Sequence, residues 1–358
     1  SLTLGAAAAF TTTSTGALTI NSAVDNGGHL LTLSASSTGA GTVSGTIDGA
    51  GGLTKSGGNT WTLSGSNSFT GATTVTGGTL AITSVADGGT NSSLGAATNA
   101  AANLVLDGGS LRFTGTTAQT TDRLFTLGLG GGTLDASGST GNTLGLTNTG
   151  AIDLDGSGTR TLTLTGTNTG ANTLAATLSD NGGATSVTKT GAGAWLLSGA
   201  NTHTGTTTLT AGTLSLGDDD ALGTGTLALN GGTLNANATR TVANAITLGG
   251  NAAVGGTQSL TFAGTLTQSL GNRTLTVSNT GGTTLADINL SESGTDRTLT
   301  INNTGAVTVS GIIANGGGST ASGLTKSGNG ILTLASANTY AGNTTITAGT
   351  LTLGDDSA

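Results

Sequence analysis

Few side chains in this chain suit catalysis or metal binding. Of 358 residues, 17 are acidic, nine are basic and two are histidine, and cysteine is absent. His29 and His203 could each serve a Ser–His–Asp triad, whose members converge in space rather than in sequence. Asp218-Asp219-Asp220 and Asp355-Asp356 gather carboxylates that could bind calcium. Asp153-Leu154-Asp155-Gly156-Ser157-Gly158 opens like a calcium loop, but its twelfth position is Leu164 where a bidentate Glu belongs. The G-G-x-G-x-D nonapeptide of calcium rolls is missing. Cleavage of a polysaccharide would need two or three convergent carboxylates, and no unique cluster supplies them. The simpler account of the Asp runs is a solvated loop. The sequence therefore assigns no catalytic residue, no cofactor-binding residue and no metal ligand.

The basic residues repeat, and repetition argues against a catalytic constellation, which must be unique. Lys55, Lys189 and Lys326 each follow a Leu-Thr or Val-Thr pair. Strict alternation would place each amine on the face of Leu53, Val187 or Leu324. The expectation is that the strand bends there, so that the amine reaches water while its stem covers the coil edge. A row of cations for an anionic glycan is disfavoured, because the copies lie more than a hundred residues apart. Arg123, Arg160, Arg240, Arg273 and Arg297 each stand two residues before Phe125, Leu162, Val242, Leu275 and Leu299. They read as a strand-start feature. Arg273 and Arg297 are expected one coil apart. Only Arg112 falls outside these repeats.

The elements that must position these residues are written three times. "LTKSGGNTWTLSGSNSFTGATTVTGGTLAI" from Leu53, "VTKTGAGAWLLSGANTHTGTTTLTAGTLSL" from Val187 and "LTKSGNGILTLASANTYAGNTTITAGTLTL" from Leu324 align without a gap. Asn67, Asn201 and Asn338 keep step, as do Gly71, Gly205 and Gly342. Thr or Ser alternates with an apolar residue, which is the period of a half-buried strand. The inward set is Trp61, Trp195 and Leu332, then Leu63, Leu197 and Leu334, then Val75, Leu209 and Ile346. Both tryptophans read as core, because Leu332 fills the third copy. His203 takes the slot of Phe69 and Tyr340, so it reads as an aromatic packed at the coil edge. Gly, Asn and Ser break the runs where the chain must turn. One unit cannot bury its own apolar edge, whereas stacked coils share one core. The fold class is all-β, a single-stranded right-handed parallel β-helix, or β-solenoid. At roughly 20–25 residues per coil and about 4.8 Å between strands, some 15–18 coils would make a rod of about 70–85 Å.

These residues also carry a family resemblance. L-T-K-x-G, then L-x-G-x-N-x-[aromatic]-x-G-x-T, then G-T-L-x-L resembles the passenger-associated transport repeat of bacterial autotransporters. "GDDDALGTGTLALNGGTL" at 217–234 resembles the usual continuation. Ser336 departs from the glycine seen at Gly65 and Gly199. The resemblance implies export through an outer-membrane β-barrel translocator in the same full-length chain. It also implies a place on the bacterial cell surface and an adhesin or other effector displayed there.

Composition agrees with a solenoid. Glycine numbers 66 and aromatics are 2% of the chain, while the apolar share is 34%. A narrow aliphatic core needs few aromatics. A net charge of −8 with sparse basic residues argues against nucleic acid. No apolar run reaches membrane-spanning length. The stretch 83–103 is expected to be a loop or a wider coil. Otherwise 1–358 reads as one continuous solenoid, with strong units at 53–82, 187–216 and 324–353, and as a fragment of a longer chain. Stacked coils leave open strand edges, so fraying or end-to-end self-association is expected. The leading function is a non-enzymatic stalk or adhesin segment, with a host or neighbouring-cell surface ligand. A polysaccharide-active β-helix enzyme is one competitor. A threonine-lined solenoid of the ice-binding type is the other, with Thr161, Thr163, Thr274, Thr276, Thr298 and Thr300 facing outward.

Overall fold

The structure is a computed structural model that describes residues 1–355. The Asp356 carboxylate considered above lies outside the described residues. The chain forms two compact units, Ser1–Trp195 and Leu196–Ala358. Both are parallel β-solenoids, and the boundary between them falls inside the strand Ala194–Leu197.

In the first unit one sheet stacks Ala8–Thr12, Leu31–Ala35, Leu53–Lys55, Thr73–Val75, Leu104–Leu106, Thr126–Leu127 and Asp153–Leu154. A second stacks Leu18–Ile20, Gly41–Val43, Thr60–Leu63, Thr79–Ile82, Ser110–Phe113, Gly132–Ala136, Arg160–Thr165 and Thr185–Lys189. Leu2–Thr3, Val24–Asp25 and Ile47–Asp48 complete the early coils; Gln119–Thr121, Leu144–Leu146 and Ala171–Leu174 complete the later ones. The second unit repeats the plan. Thr207–Leu209, Leu227–Leu229, Ile246–Leu248, Leu266–Gln268, Ile288–Asn289 and Ile313–Ala314 stack in one sheet. Thr213–Leu216, Thr233–Ala236, Ala252–Val254, Arg273–Val277, Thr298–Asn303, Gly323–Ser327 and Thr344–Ile346 stack in another. Arg240–Val242, Leu260–Phe262, Thr283–Leu285, Val307–Val309, Ile331–Leu334 and Thr350–Leu353 form the third.

Coil length varies while register holds. Leu53 pairs with Thr73, 20 residues on, and Thr73 with Leu104, 31 residues on. The longer coil carries the 83–103 excursion, which holds a single 3-10 turn at Ala101–Asn103. Slack is taken up in turns, because strand pairing fixes only the residues inside the ladders.

Alternation sets the core. Leu31 stacks on Leu53, and Leu80 lies between Trp61 and Leu111. Nearly all the inward set is fully buried: Trp61, Trp195, Leu332, Leu63, Leu197, Leu334, Val75 and Leu209. Ile346 is the exception, with 53% of its surface exposed. Its strand pairs on one side only among the described residues, so nothing covers it. Arg273 and Arg297 do lie in adjacent coils, but out of step: Arg273 is paired with Leu299. Their spacing of 24 residues misses the true register by two.

Candidate functional site

The three repeated lysines overturn the expectation that their amines reach water. Lys55, Lys189 and Lys326 are each 0% exposed. Lys55 stays on the inward face, stacked between Leu33 and Val75. Lys326 lies likewise between Ile301 and Ile346, and Lys189 follows Leu164 in its column. The strand does not bend the amine outward; the turn after it closes over the amine. Lys55 Nζ donates to the carbonyls of Ser56, Gly57 and Gly77 at 2.7, 2.8 and 3.0 Å. Lys326 Nζ donates to Ser327, Gly328 and Ala348 at 2.7, 2.6 and 3.1 Å. Lys189 Nζ reaches Thr190 and Gly191 at 2.6 and 2.9 Å.

The chemistry of this cage is simple. An ammonium has three donors and no acceptor, and a glycine-rich turn can aim its carbonyls inward. Gly57, Gly191 and Gly328 make that possible with φ of 72°, 65° and 74°, where a side chain would be strained. The third carbonyl for Lys55 comes from Gly77, so the amine ties one coil to the next. Burial lowers the Lys55 and Lys189 amines from 10.5 to about 8. The same cause lowers Lys326.

A pH dependence follows. An unfolded lysine titrates near 10.5, so from about pH 8 to 10.5 the unfolded chain binds more protons than the folded one. Stability then rises with pH through that window, because losing the proton removes the charge whose burial is unfavourable. Below it, both states carry the charge and the slope vanishes. In Lys55→Met this part of the rise is expected to disappear. Urea midpoints for both proteins at about pH 7.5, 9 and 10.5 will check it.

The arginines are structural as well. Arg160, Arg240 and Arg273 begin their strands, and Arg297 immediately precedes one. Arg160 is buried, and its guanidinium donates to the carbonyls of Leu127, Asp155, Gly156 and Gly158. Arg297 pairs with Glu292. Arg123 corrects the strand-start expectation: it lies between strands, buried beneath the 83–103 excursion. It donates to Ala86, Gly95 and Thr98 carbonyls at 3.2, 3.0 and 3.3 Å. Arg112 lies mid-strand and pairs with Asp135 on the neighbouring strand at 2.6 Å.

His203 is fully buried rather than at an edge, and its Nε2 lies 3.2 Å from Thr207 Oγ1. Tyr340 bonds to Thr344 in the same i, i+4 relation. In the first copy Phe69 offers no polar atom, and the buried Thr73 hydroxyl has no partner. In two of the three copies the slot therefore pairs a polar aromatic with a hydroxyl four residues on.

The Asp run is held in its loop. Asp218 Oδ1 accepts the Asp220 N–H at 2.9 Å, and Asp219 Oδ1 accepts Thr241 N–H at 3.1 Å beside Arg240. Asp153 and Asp155 line a shallow depression with Val105 and Thr126. Among the described residues, no group of three His, Cys, Asp or Glu side chains is placed to hold a metal ion.

One repeated residue was overlooked as functional. Asn67 Oδ1 accepts Ile47 N–H at 2.8 Å, and its Nδ2 donates to the Ser93 carbonyl at 2.8 Å. Asn201 Nδ2 donates to Ala221 at 2.6 Å. Their constant spacing after the lysine was visible; the partners, 20 or more residues before or after them, were not.

The same segments stand out in comparison with known proteins. The family model described as the passenger-associated transport repeat matches residues 53–82, 187–216 and 324–353. A curated relative, the adhesin BmaC autotransporter of Brucella suis biovar 1 (strain 1330), is 37% identical over 114 residues. That alignment covers 31% of this chain and 3% of the relative. No solved structure matches. Three matched repeats, each holding its lysine, asparagine and aromatic slot on parallel solenoid coils, make these segments similar to the passenger-associated transport repeat, and part of the chain similar to an autotransporter adhesin.

Proposed function

We propose that the chain is a non-catalytic stalk or adhesin segment of its passenger, carried on the bacterial surface. It leaves the cell through an outer-membrane β-barrel borne by the same full-length chain. Its repeats fold outside and help to draw the remainder through, and a ligand on a host or neighbouring cell is met there. The observation that supports this is the fate of the repeated polar residues. The three lysines, Asn67, Asn201, Phe69 and His203 are all buried within the coils rather than presented on a surface.

The test is display. The chain, joined to its barrel, should show at least about fivefold less passenger at the cell surface when Lys55, Lys189 and Lys326 are all methionine, with barrel levels unchanged. Full display of that variant, with the purified protein unable to fold, would overturn the export role. Polysaccharide cleavage lost on replacing Asp218, Asp219 and Asp220 together would defeat the non-catalytic reading.

A second reading has one observation in its favour. Thr241, Thr261, Thr284, Thr308, Thr333 and Thr352 form an unbroken outward column over six strands. Thr274 and Thr300 continue through Thr325 and Thr345 in another. Thr163 lies in a third, between Thr133 and Thr188. Thr161, Thr276 and Thr298 meet Ser186, Asn302 and Gly323 instead. Thermal hysteresis in a solution of the whole chain would favour an ice-binding face. Its absence would leave the columns as cross-strand pairs, each contributing about 0.2–1 kcal/mol.

A further inference from the structure

Two carboxylates of the first unit hold nothing in place. Every other aspartate of that unit accepts a hydrogen bond from the chain, as Asp107 does from Gly130 N–H and Asp180 from Thr185 N–H, both at 2.7 Å. The side chains of Asp153 and Asp155 accept none among the described residues, and no lysine or arginine lies within ion-pairing reach of either. Arg160 is close in sequence, but it is buried and its guanidinium donates to four carbonyls, that of Asp155 among them. Two exposed like charges are therefore left side by side without a counter-ion.

Both face a depression of about 330 Å³, lined also by Ala102, Val105, Thr126 and Leu154. Backbone pairing explains why they meet. Val105, Thr126 and Asp153 stand opposite one another on three adjacent strands. Leu104, Leu106, Phe125 and Leu127 beside them are buried, so alternation turns Val105, Thr126 and Asp153 outward. Asp155 N–H donates to the Leu127 carbonyl at 3.2 Å, which carries the pairing one residue past the strand Asp153–Leu154. Asp155 thus emerges on the side of Asp153, about 6.6 Å further along. The 3-10 turn Ala101–Asn103 packs against the strands of Val105 and Thr126. Thr126 is in consequence only 8% exposed, although it points outward. Its hydroxyl bonds to no group of the chain among the described residues, so a nearly buried polar group also awaits a partner in the depression.

We propose that this depression binds a basic side chain, lysine or arginine, of a partner polypeptide. Two carboxylates and a hydroxyl match the three donors of an ammonium, and a guanidinium can bridge both carboxylates. Ala102, Val105 and Leu154 supply the apolar surface that an aliphatic stem covers. Calcium fits less well, because it takes about six to eight oxygens and has no use for the hydrocarbon lining. A neutral sugar would leave both charges unpaired. The inference rests on the depression itself and not on the stalk or export reading.

The test titrates the whole isotope-labelled chain with two peptides capped at both ends, Gly-Gly-Lys-Gly-Gly and Gly-Gly-Arg-Gly-Gly, and follows backbone amide resonances. At least one peptide is expected to shift the amides of Val105, Thr126 and Leu154 saturably, and the tighter of the two identifies the preferred head group. The lysine peptide with its amine acetylated should move none of them, since the charge is gone. Asp153→Asn should weaken binding at least about tenfold. Its side chain is exposed and bonds to nothing in the chain, so the fold is kept. Asp220→Asn removes the same charge from another loop and should leave binding unchanged. Thr126→Val keeps the shape without the hydroxyl and should weaken it about threefold. Equal binding by Asp153→Asn, or an equal response to the acetylated peptide, would overturn the proposal. So would silence of both peptides. If calcium chloride or maltose then moved the same amides, the depression would belong to a metal ion or a sugar instead.

Discussion

Replacing Trp61 with alanine is expected to destabilise the first unit by about 3–5 kcal/mol, the range for removing a large aromatic from a packed core. Trp61 is 0% exposed. Its indole lies against Gly41 on the preceding strand, and a Cβ there would come within 2.2 Å of the ring. Gly41 is the small residue that makes room for the large one. The indole Nε1 also donates to the Ser34 carbonyl at 3.0 Å. Alanine at this position would leave a void between Gly41 and Leu80, and the paired backbones on either side cannot close it without breaking ladder hydrogen bonds. Urea unfolding can be followed through Trp195, which would be the remaining tryptophan. A loss below about 1 kcal/mol would mean that the coils collapse around the gap.

Lys55→Met should cost about 3 kcal/mol despite conserving volume, because it removes one donor group from three converging carbonyls. Two terms oppose. Removing a buried charge is favourable, as the lowered amine shows. Orphaning the carbonyls of Ser56, Gly57 and Gly77 is unfavourable, and three acceptors outweigh one satisfied ammonium. Lys55→Ala should cost about 1–2 kcal/mol more, for the missing aliphatic stem. Arginine is no remedy, since its planar fork does not match three carbonyls gathered around a point. Lys326→Met should have a smaller effect, because its coil stands at the open edge beside the exposed Ile346. Thermal and urea melts of the three variants will rank them. A Lys55→Met protein as stable as the parent would show that the cage is incidental.

Much of the fold was legible before any coordinates. Alternation in Thr60-Trp61-Thr62-Leu63 told which side chains point inward, since successive Cβ atoms of a strand must face opposite ways. The copies starting at Leu53, Val187 and Leu324 revealed the stacking, because an apolar edge repeated in register needs a neighbour of its own kind. Alternation also put Lys55 on the inward face. The expectation that it would escape to water weighed the burial of the ammonium without knowing its acceptors. Two of those acceptors come from the glycine turn beside it, and the third comes from Gly77, 22 residues away.

That difference marks what each level decides. The sequence alone determined strand period, repeat boundaries and the aliphatic column, because each depends on geometry within a few bonds or on identity between copies. Tertiary structure decided the register between coils, shown by Arg273 meeting Leu299 rather than Arg297. It decided the enclosure of the lysines and the partners of Asn67 and Asn201. The contacts among these that cross from coil to coil join residues 20 or more apart through turns of unequal length. Only the paired backbones, which tolerate slack in a turn but none in a ladder, can say which residues meet.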